Sequence, residues 1–343
     1  MNTSEQYSAA TEEYLRRLRF NNLSKKTLEN YSRVLAQFGA FLQKNPETDD
    51  LFSAVELWRD GLLSGGAKPS TVKQYLTTLK IFFDRATRRS FPERLRFSEN
   101  PVDEDMKPKT PERPYEIVLT DEQVKSLYRN APPPHFCGTW PRNWAMIQLC
   151  MNEKIRNAEL LDLRLSDVDM LHHILIVRSG KGRKYREVDL CELSEFAISQ
   201  YLDSGLRPAH LGDEDLLFGT TAAHEQGAVN ARSGAEKWHR GSTNWLSNLI
   251  ERTVFAVTGV HDVRSHDLRH VGARVCLNAG QSIEELQGQL GHAQIGTTQI
   301  YTSRMGSRRS RESARAVLAA RDAAAEELRK EKTAEQNIIP LFA

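Results

Sequence analysis

Four short stretches in the second half of the chain carry side chains suited to phosphate chemistry. The first, K-I-R-N-A-E-L-L-D-L-R, places Arg156 at the entry to an amphipathic run. The second, G-K-G-R-K-Y, places Lys181 on the connection between two β-rich runs. The third, S-H-D-L-R-H, sets His266 and Arg269 three residues apart, on one side of a helix. The fourth, L-G-H-A-Q-I-G-T-T-Q-I-Y, holds His292 and, nine residues later, Tyr301. An arginine offers a planar fork of donors that matches two oxygens of a phosphate. A tyrosine can attack phosphorus and later be displaced, because phenolate is both an adequate nucleophile and a tolerable leaving group. Taken one at a time, each has an ordinary explanation. Lone arginines at helix entries are usually solvated, hairpin lysines usually point to water, and a tyrosine after T-T-x-I is more often packing than a nucleophile. The pair His172-His173 precedes a strand without other ligands and reads as a loop.

The combination is far more specific than any member. The order Arg, Lys, His-x-x-Arg, His, Tyr resembles the active site of the tyrosine recombinase, or phage integrase, family, in its Xer-like form. The surrounding text is similar too. NWAMIQLCMNEKIRNAELLDLRLSDVD resembles the family's first arginine box, with an acidic residue, Glu159, three after the arginine. SHDLRHVGARVCLNAG resembles its H-x-L-R-H box, and IEELQGQLGHAQIGTTQIYT its L-G-H to T-x-x-Y box. The resemblance covers most of residues 115–305, and the N-terminal S-K-K-T-L-E-N-Y resembles the family's core-binding domain more loosely. One departure stands out: the usual T-G-L before the first arginine is Glu153-Lys154-Ile155 here. Loss of that glycine is expected to alter the backbone that presents Arg156.

The resemblance implies a site-specific recombinase that cuts and rejoins double-stranded DNA without metal, ATP or other cofactor. Tyr301 would form a 3′-phosphotyrosyl bond that a 5′-hydroxyl of the partner strand later reverses. Arg156, Arg269 and His292 would donate to the non-bridging oxygens, where the transition state gathers charge. The family's assignment makes Lys181 the proton donor to the leaving 5′-oxygen and His266 the base toward the tyrosine. Glu159 and His270 are expected behind these groups, orienting them. Strand exchange cuts two duplexes, so the resemblance also implies a homotetramer on DNA, with or without accessory proteins. The biological task is left open among integration, excision, resolution and transposition, including service to a mobile element. Two alternatives stay open: a type IB topoisomerase that relaxes a single duplex, and a catalytically silent DNA-binding protein of the same fold. The long tail after Tyr301 and the filled catalytic positions argue against them.

These residues need elements to position them. The fold expected is mainly α (α+β): a helical N-terminal DNA-binding domain over 1–100 and a linker over 101–118. A mostly helical catalytic domain with a small antiparallel sheet follows over 119–310, then a C-terminal helix and tail over 311–343. Helices are predicted over KKTLENYSRVLAQFGAFLQK, capped by Ser24, and over STVKQYLTTLKIFFDRATRRS, capped by Ser70. LFSAVELWRDGLLS lies between them as a shorter helix. NPVDEDMKPKTPERPYE, rich in proline and charge, reads as the interdomain linker. T-D-E-Q from Thr120 has capping-box spacing, and ILIVRS with REVDL reads as a hairpin. Residues 207–240 read as a mobile surface excursion. The alanine-rich C-terminal helix either packs on its own domain or docks on a neighbouring subunit, and the apolar tip Ile338-Ile339-Pro340-Leu341-Phe342 favours docking.

The net charge of +2 does not by itself point to nucleic acid, so a DNA-binding surface must be local. Candidates are Lys25, Lys26, Lys68, Lys73, Lys80, Arg85, Arg88 and Arg89. A charged solvated helix face explains them equally well until the catalytic set is considered. DNA affinity should then fall steeply with salt. None of the four cysteines forms a C-x-x-C pair, so neither a zinc knuckle nor a disulfide framework is expected. No apolar signal core or membrane-length run appears, and the expected location is the cytoplasm.

Overall fold

In a computed structural model, which describes residues 2–20, 23, 25–46, 50–109, 118–131, 138–178, 185–220, 238–291 and 308–338, the chain divides into two compact units. They comprise Met1–Pro114 and Tyr115–Ala343. Among the described residues no helix is long and apolar enough to cross a membrane.

The first unit is built from α1 (Thr3–Arg19), α2 (Lys25–Lys44), α3 (Leu51–Ser64) and α4 (Pro69–Ala86). Each buries one stripe at helical spacing, as in Val72, Leu76, Leu79 and Phe83 of α4. α1 escaped the sequence reading because its buried face is Tyr7, Ala10 and Tyr14 rather than an aliphatic run. Tyr7 packs edge-on against Phe38 and Phe82, and its hydroxyl donates to the Leu35 carbonyl at 3.1 Å. Of the two expected caps, one differs. Ser24 lies outside the described residues, and α4 starts at Pro69, one residue before Ser70. Proline at the first helical position already has a suitable φ and needs no amide donor, so no side-chain cap is present. The linker expected from residue 101 also begins later, since Val102 and Met106 are buried in this unit's core.

The second unit surrounds α6 (Trp140–Met151), whose residues are all buried except Pro141, which is partly so. Around it lie α5 (Asp121–Tyr128), α7 (Asn157–Asp162), α8 (Glu192–Asp203), α9 (Thr243–Thr258) and α10 (Ser265–Ala279). α11 (Ile283–Leu290) packs on α10, and α12 (Arg308–Ile338) ends the described chain. Thr120 and Gln123 form the expected capping box at the start of α5. The sheet is antiparallel in the order β1 (Val168–Asp169), β2 (Ile174–Arg178), β3 (Tyr185–Asp189), with Ile174 opposite Asp189 and Arg178 opposite Tyr185. Leu175, Val177 and Val188 enter the core.

One expectation changes here. The stretch from Arg207 to Thr220 is not a loose excursion: Leu217 and Phe218 are fully buried, and the Arg207 guanidinium donates to the carbonyls of Leu211, Gly212 and Leu216. Residues 221–237 lie outside the described chain. α12 lies against α5, α8 and α10 of its own unit and buries Val317 and Ala325 there. Its small alanine face allows that close approach, and most of the apolar tip lies outside the described residues.

α10 meets the end of α6 at Gly272. A Cβ on this residue would sit 1.8 Å from the Met151 carbonyl oxygen, so only glycine admits the contact. Gly272→Ala is therefore expected to destabilise the protein by about 3 kcal/mol or more, since the clash is with backbone and cannot relax cheaply. Urea unfolding measures this, and a loss below about 0.5 kcal/mol, the scale of a neutral surface change, would contradict the contact.

Candidate active site

The end of α6 leads into a tight turn that delivers Arg156 to the start of α7. Lys154 turns the chain with φ of 54°, the left-handed region that glycine favours. A lysine thus holds a conformation that is more usual for glycine. Arg156 then occupies the cap position of α7.

Glu159, one turn on, is the pivot. It is 7% exposed. One carboxylate oxygen accepts from the Arg156 amide at 2.8 Å, and the other from the Arg156 guanidinium at 2.8 Å. Arg186 on β3 forks onto both oxygens, at 2.9 Å each. Burial alone would raise the Glu159 pKa, but the hydrogen bonds and charges of Arg186 and Arg156 prevail and hold it at about 2. Both arginines then reach the end of α11. Arg186 Nε donates to the Gln289 carbonyl at 3.0 Å, and Arg156 Nη2 to the Gly291 carbonyl at 2.9 Å.

Arg269 completes the arrangement from α10. It is 3% exposed and donates to the carbonyls of Lys154 and Leu290, the latter at 2.8 Å. Ser265, at the start of the same helix, donates to the Asn157 side chain and so joins α10 to the start of α7. Arg156, Arg186 and Arg269 therefore grip three consecutive carbonyls, 289 to 291, immediately before His292 in the sequence. Glu153 anchors the turn from the other side. It accepts from the Cys191 amide at 3.0 Å and the Ser194 hydroxyl at 2.9 Å, and burial pushes its pKa up to about 7. Four side-chain cations, Lys154, Arg156, Arg186 and Arg269, stand against two carboxylates, which favours an anion.

The structure thus brings together Arg156, Glu159 and Arg269. His266 is exposed on α10 one turn before Arg269, and its ring stacks on that of His270 at 4.3 Å. Lys181, His292 and Tyr301 lie outside the described residues. Of the basic residues in the first unit, Lys25, Lys26, Lys68, Lys73, Arg85, Arg88 and Arg89 are exposed. Lys80 is half-buried and lies near Glu104 and the Val102 carbonyl. Lys73 and Lys80 share a face of α4, whereas Arg85 lies about 140° round the helix, at about 100° per residue. His172 and His173 contact Asp169 and Glu195, not the site.

Arg186 was missed by sequence reasoning. Its signal was present: strand alternation puts it on the same side as the buried Val188, where an arginine is out of place unless paired.

The site gathers three guanidiniums around Glu159 and the carbonyls at the end of α11, on a mostly helical domain. Comparison with known proteins gives its family. The model of the phage integrase family matches residues 118–307, and that of the phage integrase N-terminal SAM-like domain matches 11–93. The chain belongs to the phage integrase family, the tyrosine recombinases. It is 28% identical over 284 residues to tyrosine recombinase XerC of Staphylococcus epidermidis, covering 82% of this chain and 87% of that one. It is equally identical over 308 residues to tyrosine recombinase XerC of Oceanobacillus iheyensis, covering 88% and 92%. Its fold is similar to that of the Tn1549 transposon integrase in complex with transposon right end DNA. The TM-score is 0.63 at 17% identity, over 93% of this chain and 100% of the other.

The pKa of Glu159 makes the clamp testable. A carboxylate held below its ordinary value of 4.5 stabilises the fold fully above that pH, and the contribution is lost as pH falls toward about 2. Glu159→Gln is expected to cost roughly 3 kcal/mol near neutral pH, with the difference from the parent shrinking below about pH 4.5. Urea unfolding at several pH values checks this, and a pH-independent difference would contradict the clamp.

Proposed function

We propose that the chain is a site-specific DNA recombinase that cleaves and rejoins strands through a 3′-phosphotyrosine at Tyr301. The observation that carries this reading is the Glu159 clamp, which presents Arg156 beside the carbonyls gripped by Arg269 in a chain of this family. Two buried or half-buried guanidiniums, oriented before any substrate arrives, suit a phosphoryl group whose charge grows in the transition state. His292 adds a donor, Lys181 protonates the leaving 5′-oxygen, and His266 acts as base toward the Tyr301 hydroxyl. With that charge met by side chains, the reaction proceeds without a divalent metal or ATP. His270, stacked on His266, holds that ring.

The substrate is double-stranded DNA carrying a specific recombination site. Lys25, Lys26, Lys68, Lys73, Arg85, Arg88 and Arg89, all exposed, are the proposed phosphate contacts, with the half-buried Lys80 the weakest candidate beside them. The acting form is a tetramer on two duplexes in the cytoplasm, with accessory proteins where the site requires them. The tip at 339–342 is the segment offered to a neighbouring subunit.

Covalent trapping tests the reaction. A bound site recovered by selection is nicked beside the cleavage position and incubated with protein in EDTA. The native protein is expected to give an adduct on a denaturing gel, and Tyr301→Phe none. Arg269→Ala should slow adduct formation by roughly 10²–10³, as loss of one preorganised donor does. Tight specific binding with no adduct would leave a silent DNA-binding protein, and relaxation of any supercoiled plasmid without site preference would favour a topoisomerase.

A further inference from the structure

Lys154 bears two unfavourable features at once. It holds a left-handed φ of 54° that a side chain disfavours, and its ammonium-bearing side chain is only 3% exposed. Glycine at this position would remove both costs. What the lysine adds is a bond between distant parts of the chain. Its Nζ donates to the Asn152 carbonyl at 2.6 Å and to the Gln289 side chain at 3.0 Å, across 135 residues of sequence. The same two segments form the socket of Arg269, whose guanidinium donates to the Lys154 and Leu290 carbonyls. Main chain and side chain of one residue thus close a ring: Lys154 to Arg269, Arg269 to Leu290, and Gln289 back to Lys154.

We propose that Lys154 is a positioning residue for strand cleavage, whose ammonium ties the end of α11 to the turn before Arg156 and so sets the width of the Arg269 socket. The tether is a feature of the fold, while its consequence for cleavage rests on the recombinase reading above. With the tether cut, Leu290 and Gly291 are free to move away, and Arg156 and Arg269 each lose the register of a carbonyl acceptor. A misplacement of about 1 Å at a reacting group is enough to slow chemistry on the order of 10²-fold.

The test uses the full chain with Lys154→Gly, which relieves the backbone, and Lys154→Met, which keeps the length but not the donors. Gln289→Leu and the Lys154→Met/Gln289→Leu double variant complete the set. Amide hydrogen exchange over residues 286–291 reads the tether without any reaction. Single-turnover adduct formation at saturating nicked DNA, beside the DNA dissociation constant, reads its consequence. The expected result is faster exchange at 286–291 in every variant and thermal stability of Lys154→Gly no lower than that of the parent. DNA affinity should stay within about threefold while the cleavage rate falls about 10–100-fold. The double variant should be no slower than the slower single one. Unchanged exchange would overturn the tether. Faster exchange with parental cleavage rates would overturn the positioning role. Faster exchange in a protein whose parent forms no adduct would support the tether and count against the recombinase reading instead.

Discussion

A carboxylate withdrawn from water has to be answered by positive charge, and at Glu159 two guanidiniums answer it. Much of the site follows from that pairing. Because Arg186 forks onto both oxygens, the carboxylate cannot rotate, and Arg156 meets a fixed acceptor. Because Arg186 belongs to β3, the sheet is tied to the turn after α6. A buried ion pair of this kind adds little net stability relative to apolar packing, yet breaking one side is expensive. That asymmetry suits a site in which orientation matters more than strength.

The second constraint is steric. Arg269 reaches its carbonyl acceptors only if α10 lies hard against the end of α6, and Gly272 is what permits that approach. Ser265 at one end of α10 and Arg269 one turn later then bind the two sides of the same turn, at Asn157 and Lys154. Packing and site geometry are therefore linked here: the glycine that admits the Met151 carbonyl lies three residues from the Arg269 guanidinium.

Much of this was legible in the sequence. The apolar stripes of α2 and α4, the capping box at Thr120 and the antiparallel pairing of β2 with β3 all express local rules whose signals lie within a few residues. The parts that were not legible depend on distant partners. Arg186 pairs across 27 residues and Lys154 across 135, and nothing beside either residue announces its partner. α1 was hidden by a tyrosine-rich face, and residues 207–220 by polar composition, although Leu217 and Phe218 anchor them in the core. The substitution of Lys154 for glycine was visible, but its outcome was not, because a left-handed lysine is tolerated only where surrounding bonds hold it.

The claim at the centre is that Glu159 and Arg186 act as one unit that aims Arg156. The most direct measurement is the single-turnover rate of covalent adduct formation, at saturating DNA, for Glu159→Gln, Arg186→Lys and the double variant. Arg186→Lys keeps the charge but loses the fork. The account predicts that each single change slows cleavage by about 10–100-fold with little change in DNA affinity. The double variant should be no slower than the slower single one, since both remove the same unit. Rates that multiply in the double variant, or losses confined to DNA affinity, would contradict it.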